Sequence, residues 1–144
     1  MRPEPEQLAT VPLLASLNPD QLEAIASLAE LRSEAAGTPL VGEGAPGFSL
    51  FILLEGSADV TSEAGEHGTL GPGDFFGEIA LLGGEGRHTA TVTASSPAVL
   101  AVMFGSDFRV FERDFPDAAR QMQEAMGNRL SSLGGSPSPP SIPS

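Results

Sequence analysis

The middle of the chain, residues 37–103, consists of short apolar runs separated by glycine and proline, and this pattern limits the possible folds more than any other feature. Turn signals every ~8–12 residues rule out long helices in this segment but are compatible with short strands joined by turns. The runs that predict strands are Leu40-Val41, Phe48 to Leu54, Ala58 to Val60, Phe75-Phe76, Ala90 to Ala94 and Ala98 to Met103. No long helices alternate with these runs, so the segment predicts a sandwich, roll or barrel rather than a doubly wound α/β fold.

The residues before this segment predict helix. Apolar residues recur at three- and four-residue spacing from Asn18 to Leu31. Asn18 can cap the helix, Pro19 suits its first turn, and Gln21 stands three residues after the cap. The short apolar stretch Val11–Leu17 predicts a turn or short helix that packs on the core.

Helix also returns after the strands. Asp107 to Arg113 predicts a short helix, and Pro116 opens a longer one that carries an apolar stripe as far as Leu133. The remaining residues, rich in glycine, serine and proline, cannot bury enough apolar surface to fold. The sequence therefore predicts one domain over residues 11–133 and a disordered Gly/Ser/Pro tail over residues 134–144.

The charge of the chain excludes several kinds of partner. There are 19 acidic residues against 7 basic ones, all arginine, and the formal net charge is -12. Nucleic acids and anionic membranes attract cationic surfaces, so neither is an expected partner. The chain has no cysteine and no apolar run near the ~20 residues that span a bilayer, and we expect a cytoplasmic protein.

The distribution of charge constrains any anion site further. Residues 37–103 contain eight acidic side chains and a single arginine, Arg87. An anion bound by this stretch therefore depends on Arg87, on backbone N–H groups or on a protonated histidine. The chain has two histidines, His67 and His88, and His67 is expected in a glycine-rich hairpin turn.

The segment Gly71–Leu82 carries the clearest chemical signal. It predicts a strand, a glycine turn and a helix that begins near Glu78. The free N–H groups at a helix start suit a phosphate, and Gly77 allows the backbone to approach a ligand closely. Glu78 can accept a hydrogen bond from a sugar hydroxyl, and Arg87 follows shortly afterwards. Together these features point to a phosphorylated sugar.

Phe76-Gly77-Glu78-Ile79-Ala80-Leu81-Leu82 followed by Arg87-His88-Thr89-Ala90-Thr91-Val92 resembles the phosphate-binding cassette of cyclic nucleotide-binding domains. The catabolite activator protein, the regulatory subunit of protein kinase A and cyclic-nucleotide-gated channels share this domain. The resemblance extends to Glu43–Gly47, Phe51–Gly56 and Leu70–Asp74. It implies a mainly β fold, a double-stranded β-helix (a jelly-roll-like β-roll) with flanking N- and C-terminal α-helices.

The resemblance also implies roles for individual residues. Glu78 would accept the ribose 2′-OH, and backbone N–H groups would hold the cyclic phosphate. A C-terminal helix would close over the base as an apolar lid. The implied cyclic-nucleotide-binding residues are Gly77, Glu78, Ile79, Ala80, Leu81, Arg87, His88, Thr89 and Ala90, and the implied lid residues are Met122, Met126 and Leu130. In the family, a threonine at the position of Thr89 can contact a guanine, so cGMP is a candidate ligand as well as cAMP.

The sequence departs from the family pattern at the phosphate arginine. Counting back from Thr89-Ala90-Thr91-Val92 places His88 where the family has arginine, and Arg87 lies one residue earlier. The alternation of side chains along a strand also favours His88. If Ala90, Val92 and Ala94 face the interior of the roll, position 88 faces inward as well. Two observations favour Arg87 instead: it is the single arginine in residues 37–103, and counting forward from Phe76 reaches it at a spacing seen in the family. A β-bulge could turn its side chain inward. Both assignments remain open.

These features predict a non-enzymatic sensor that binds cAMP or cGMP and needs no cofactor or metal. Its expected partners are the cyclic nucleotide and an effector domain, a protein partner or a second copy of the chain. The alternative is a degenerate roll that no longer binds nucleotide and serves in protein interaction or oligomerisation. A cupin-type metalloenzyme needs clustered histidines, which this chain lacks, and a transcription factor needs a DNA-reading helix-turn-helix after the sensor, for which too few residues follow Asp114.

Overall fold

The computed structural model describes residues 2–42, 49–63, 65, 67–77 and 90–134, without the side chains of residues 67 and 126–134. Its helices are α1 (Pro5–Ala9), α2 (Pro19–Leu28), α3 (Gly105–Asp114) and α4 (Pro116–Gly134), with a 3₁₀ turn at Pro12–Leu14. Its strands are β1 (Glu30–Glu34), β2 (Pro39–Val41), β3 (Ser49–Glu55), β4 (Ala58–Thr61), β5 (His67–Leu70), β6 (Phe75–Phe76), β7 (Thr91–Ala94) and β8 (Ala98–Phe104). No helix within these ranges is long and apolar enough to cross a membrane.

The strands form two four-stranded antiparallel sheets, which confirms the predicted β-roll with flanking helices. The first sheet has the order β1-β8-β3-β6 and the second has the order β2-β7-β4-β5. Sequence neighbours are therefore often in different sheets, and the chain passes back and forth between the two layers. The six strands that the apolar runs predict are all present.

Two apolar clusters stabilise the fold. The roll core lies between the two sheets and consists of Val41, Phe51, Leu53, Ala58, Val60, Leu70, Phe76, Ala90, Val92, Ala94, Ala98, Leu100 and Val102. The helical core joins the other face of the first sheet to the helices and consists of Leu8, Val11, Leu13, Leu14, Leu17, Ile25, Ala26, Ala29, Leu50, Ile52, Phe75, Ala101, Met103, Phe108, Phe111, Ala118, Ala119 and Met122. Because side chains alternate along a strand, β3 and β8 contribute to both clusters.

The structure corrects the sequence prediction at two strands. Helix is predicted as far as Leu31, but α2 ends at Leu28 and Leu31 belongs to β1. His67, expected in a hairpin turn, lies in β5 and pairs with Thr61 of β4. Both strands are at the edge of their sheets as described, with a neighbouring strand on one side only among the described residues.

The helical core also includes a short helix that the sequence did not predict. Leu8 of α1 is fully buried, as is Leu14 of the 3₁₀ turn. The turn itself fits the packing segment expected over Val11–Leu17. The packed part of the chain thus begins several residues before position 11.

Candidate functional site

The predicted cassette begins where β6 ends, and a compact turn fixes that point. The Gly71 N–H donates to the Asp74 carboxylate at 2.8 Å. The Gly73 N–H donates to the Leu53 carbonyl at 2.7 Å, and the Leu53 N–H donates to the Asp74 carbonyl at 2.9 Å. The turn is thereby held on β3, and the residues that follow it run along this strand.

The two residues of β6 alternate between the cores. Phe75 packs in the helical core, whereas Phe76 is fully buried in the roll core. The Phe76 ring stacks on Phe51 of β3, with 4.9 Å between ring centroids and 4° between ring planes. This aromatic pair forms the apolar base on which the cassette begins.

Gly77 directly follows this pair and meets two structural demands. Its φ is +78°, a backbone conformation that residues with a Cβ rarely adopt. A Cβ at this position would lie 2.6 Å from the Ser49 carbonyl oxygen and 3.1 Å from a ring carbon of Phe51. The sequence suggested that Gly77 lets the backbone approach a ligand, and the structure shows that it also lets the backbone approach β3.

The predicted cassette ends at Ala90, just before β7. Ala90 is fully buried in the roll core, and Val92 and Ala94 are each 1% exposed, while Thr91 and Thr93 are half-buried. This confirms the alternation on which the assignment of position 88 depends. Gly77 lies against Phe51 of the same core, so both ends of the cassette are beside the roll core.

The remaining cassette residues proposed as ligands lie outside the described residues. They are Glu78, Ile79, Ala80, Leu81, Arg87, His88 and Thr89. The choice between Arg87 and His88 as the phosphate ligand therefore stays a prediction.

The structure does not bring the described lid residue to the cassette ends. Met122 is 2% exposed and packs in the helical core, on the other face of the first sheet from Gly77 and Ala90. Met126 and Leu130 continue along α4, and their side chains are outside the description. The closure of this helix over a base remains a prediction.

The arginines with described ion pairs are all outside the roll core. Arg32 pairs with Glu30 at 2.8 Å on β1, Arg120 pairs with Asp117 at 3.1 Å on α4, and Arg109 of α3 lies 3.7 Å from Glu112. These side chains are exposed, so a ligand inside the roll would not reach them.

The described ranges contain no group of three or more His, Cys, Asp or Glu that could hold a metal ion.

One polar residue beside the cassette was passed over by the sequence reasoning. Ser49 opens β3 and is 7% exposed among apolar neighbours. A signal was available, because Ser49 is the lone hydroxyl in the apolar run Phe48 to Leu54. Its carbonyl faces Gly77 closely, so this residue belongs to the surroundings of the site.

Comparison with known proteins places the chain in a family. The profile of the family described as "Cyclic nucleotide-binding domain" matches residues 31–114, which include the whole cassette. A cGMP-dependent protein kinase, isozyme 1, of Drosophila melanogaster is 34% identical in an alignment of 131 residues that covers 80% of this chain and 17% of the kinase. The Cyclic nucleotide-gated potassium channel mll3241 of Mesorhizobium japonicum is 37% identical over 112 residues, 78% of this chain and 31% of the channel.

A solved structure agrees with the sequence comparisons. The Thermus thermophilus catabolite activator protein superposes with a TM-score of 0.74 at 27% identity, covering 85% of this chain and 60% of that protein. The chain spans less than a third of the length of the kinase and of the channel, so it corresponds to one domain within them. The family is a regulatory module, and where its members are enzymes the chemistry lies in other domains. By its matched residues and its fold, the chain belongs to the cyclic nucleotide-binding domain family.

Proposed function

We propose that the chain is a non-enzymatic sensor that binds a 3′,5′-cyclic nucleotide in the roll, with cAMP bound more tightly than cGMP. One observation carries this proposal. The segment that matches the family's phosphate-binding cassette has Gly77 beside the roll core at its start and Ala90 buried in the same core at its end. A ligand held by this segment would therefore lie against the roll core.

The family pattern assigns the ligand contacts. Glu78 would accept a hydrogen bond from the ribose 2′-OH, the hydroxyl that a 3′,5′-cyclic phosphate leaves free. Backbone N–H groups from Gly77 to Leu81 and at Thr89-Ala90 would donate to the phosphate, as N–H groups at helix starts commonly do. These donors matter here because residues 37–103 hold only one arginine.

The composition of the roll core favours adenine over guanine. Its described members carry apolar side chains, including Val60 and Val92 near the cassette end at Ala90. Guanine has a 6-carbonyl, an N1–H and a 2-amino group where adenine has a 6-amino group and an unprotonated N1, so guanine has one more polar group on this edge. Polar groups that lose water without gaining a partner weaken binding. We expect cAMP to bind more tightly unless Thr89 supplies a partner for guanine.

Titration calorimetry of the whole chain with cAMP, cGMP and 5′-AMP tests the proposal. The cyclic nucleotides should release or absorb heat on binding, and 5′-AMP should bind more weakly because its phosphate is not held in the ring. Glu78→Ala should weaken cAMP binding by about 10- to 100-fold, as expected for a hydrogen bond to a charged group. Glu55→Ala is the matched control, since Glu55 is exposed at the far end of β3. Flat titrations with both cyclic nucleotides at millimolar concentration contradict the proposal.

Substitutions separate Arg87 from His88 as the phosphate ligand. If Arg87 binds phosphate, Arg87→Ala should cost about 2–5 kcal/mol of binding free energy, whereas His88→Ala should cost little. Affinity should then be flat between pH 6 and 8, because a guanidinium keeps its charge. If His88 binds phosphate, affinity should fall as pH rises over this range, and His88→Arg should strengthen binding.

A second function is favoured by the position of His88. Counting back from Thr89 places His88 where the family has its arginine, so a degenerate roll that serves protein interaction or oligomerisation is the alternative. This alternative predicts a folded chain that binds neither cAMP nor cGMP and that stays folded after Arg87→Ala and after His88→Ala.

We further infer that the bound nucleotide is a signal rather than a substrate. The kinase and channel relatives contain this domain within longer chains, which supports a role in controlling a neighbouring effector domain, a separate partner or a second copy of the chain. Comparing the sedimentation of the chain with and without cAMP tests the last of these.

A further inference from the structure

Ser49 has a buried side chain that the proposed contacts do not use. It is 7% exposed, and it is the buried polar residue of the described part of the chain. The next residues of β3 alternate, with Phe51 and Leu53 in the roll core and Leu50 and Ile52 in the helical core. By this alternation the Ser49 side chain lies on the roll side of the sheet.

The Ser49 hydroxyl has no hydrogen-bond partner in the part of the chain that the structure describes. Ser57 provides the contrast, since its Oγ lies 2.8 Å from Ser95 Oγ and 3.3 Å from Ser96 Oγ. Buried polar groups in proteins are nearly always paired, so a buried hydroxyl without a partner among these residues needs an explanation.

The location of Ser49 supplies one. Its carbonyl oxygen is 2.6 Å from where a Cβ of Gly77 would stand, so the first residue of the cassette lies directly against it. Gly77 also lies against Phe51 of the roll core, so a ligand held at Gly77 would be next to Ser49 on the roll side of the first sheet.

The chemistry of a hydroxyl completes the inference, which rests on the proposed function. Residues 37–103 offer one arginine to a phosphate, so neutral donors must supply much of the hydrogen bonding. We propose that Ser49 Oγ donates a hydrogen bond to a phosphate oxygen of the bound cyclic nucleotide. The bound phosphate would then pair with a buried hydroxyl that has no hydrogen-bond partner among the described residues.

A pair of serine-to-alanine substitutions tests this, with cAMP affinity measured by calorimetry and thermal unfolding measured without ligand. Ser49→Ala should weaken cAMP binding by about 10- to 100-fold, the effect of a hydrogen bond to a charged group. It should leave the melting temperature of the free protein unchanged or raise it, because it removes an unpaired buried hydroxyl. Ser57→Ala should do the opposite, lowering the melting temperature while leaving the affinity within about twofold.

Phosphorothioate analogues identify the contacted atom. The Rp and Sp forms of the cAMP analogue each replace one exocyclic phosphate oxygen by sulfur, a weaker acceptor. If Ser49 donates to one of these oxygens, the sulfur substitution and Ser49→Ala should be non-additive for one analogue and additive for the other. Ser49→Thr keeps a hydroxyl in a strand position and should retain most of the affinity.

The outcomes separate this inference from the proposed function. Flat titrations of the unaltered chain with cAMP and cGMP overturn both. Normal binding by the unaltered chain and by Ser49→Ala overturns only the hydroxyl contact. A Ser49→Ala protein that binds weakly and also melts at a lower temperature overturns it too, because the hydroxyl then stabilises the free protein.

Discussion

Replacing Gly77 by alanine places a single methyl group at the junction of β3 and the cassette. The residue has a φ of +78°, and the new Cβ would lie 2.6 Å from the Ser49 carbonyl oxygen, a backbone atom that cannot turn away. The left-handed conformation costs alanine about 1–2 kcal/mol, and forcing a methyl group into occupied space adds about 1–3 kcal/mol. We therefore expect Gly77→Ala to lower the free energy of unfolding by about 2–5 kcal/mol.

Gly37→Ala is the control that isolates the backbone term. Gly37 has a φ of +89°, and a Cβ there meets nothing within 4 Å. Its substitution should therefore cost only the conformational part, about 1–2 kcal/mol. Urea unfolding followed by far-UV circular dichroism suits both variants, because the chain has neither tryptophan nor tyrosine for fluorescence. An equal decrease in the free energy of unfolding for Gly77→Ala and Gly37→Ala would refute the close approach of Gly77 to β3.

Substitutions at two positions and one truncation test other parts of the structure. The Asn18 side chain accepts a hydrogen bond from the Gln21 N–H at 2.9 Å, so Asn18→Ala should lower the free energy of unfolding by about 1 kcal/mol in urea titrations. Phe104 occupies the N-cap of α3 without a side-chain cap, so Phe104→Ser should be more stable than Phe104→Ala by about 0.5–2 kcal/mol, and equal stability would contradict a capping role for the serine. A chain ending after Gln123 keeps the packed part of α4 but loses Met126 and Leu130. If these two residues close over the base, calorimetry should show cAMP affinity reduced roughly tenfold with little change in melting temperature, whereas unchanged affinity would contradict the lid.

The sequence predicted the long buried strands β3 and β8 and missed the strands β1 and β5, which have few buried side chains among the described residues. The runs around Phe51 and Leu100 are continuously apolar because β3 and β8 separate two cores. By contrast, β1 has no residue that is fully buried, and its Leu31 fits the periodicity of the preceding helix. Among the described side chains of β5, Leu70 alone packs in the roll core, so little in the sequence distinguishes that strand from a turn.

The candidate site was predictable as a motif and only partly as an arrangement of atoms. The glycine, glutamate and arginine near residues 77–87 pointed to a phosphorylated sugar, and the resemblance to the family identified the segment as a phosphate-binding cassette. The close approach of Gly77 to Ser49 could not be predicted, because it depends on the pairing of β6 with β3, residues distant in sequence. The lone serine in an apolar run was visible, but only the fold shows that it lies beside the cassette.

The position of β3 and β8 between the two cores has a consequence for how the protein comes apart. Five consecutive residues of β3, Ser49 to Leu53, are buried, and their side chains alternate between the two cores. If β3 separates from its neighbours, both cores therefore lose packing contacts together. The sheets and the helices should therefore open as one cooperative unit rather than in stages. Amide hydrogens at the centre of these two strands should exchange with solvent only through global unfolding, while those of β1 and β5 exchange through local fraying.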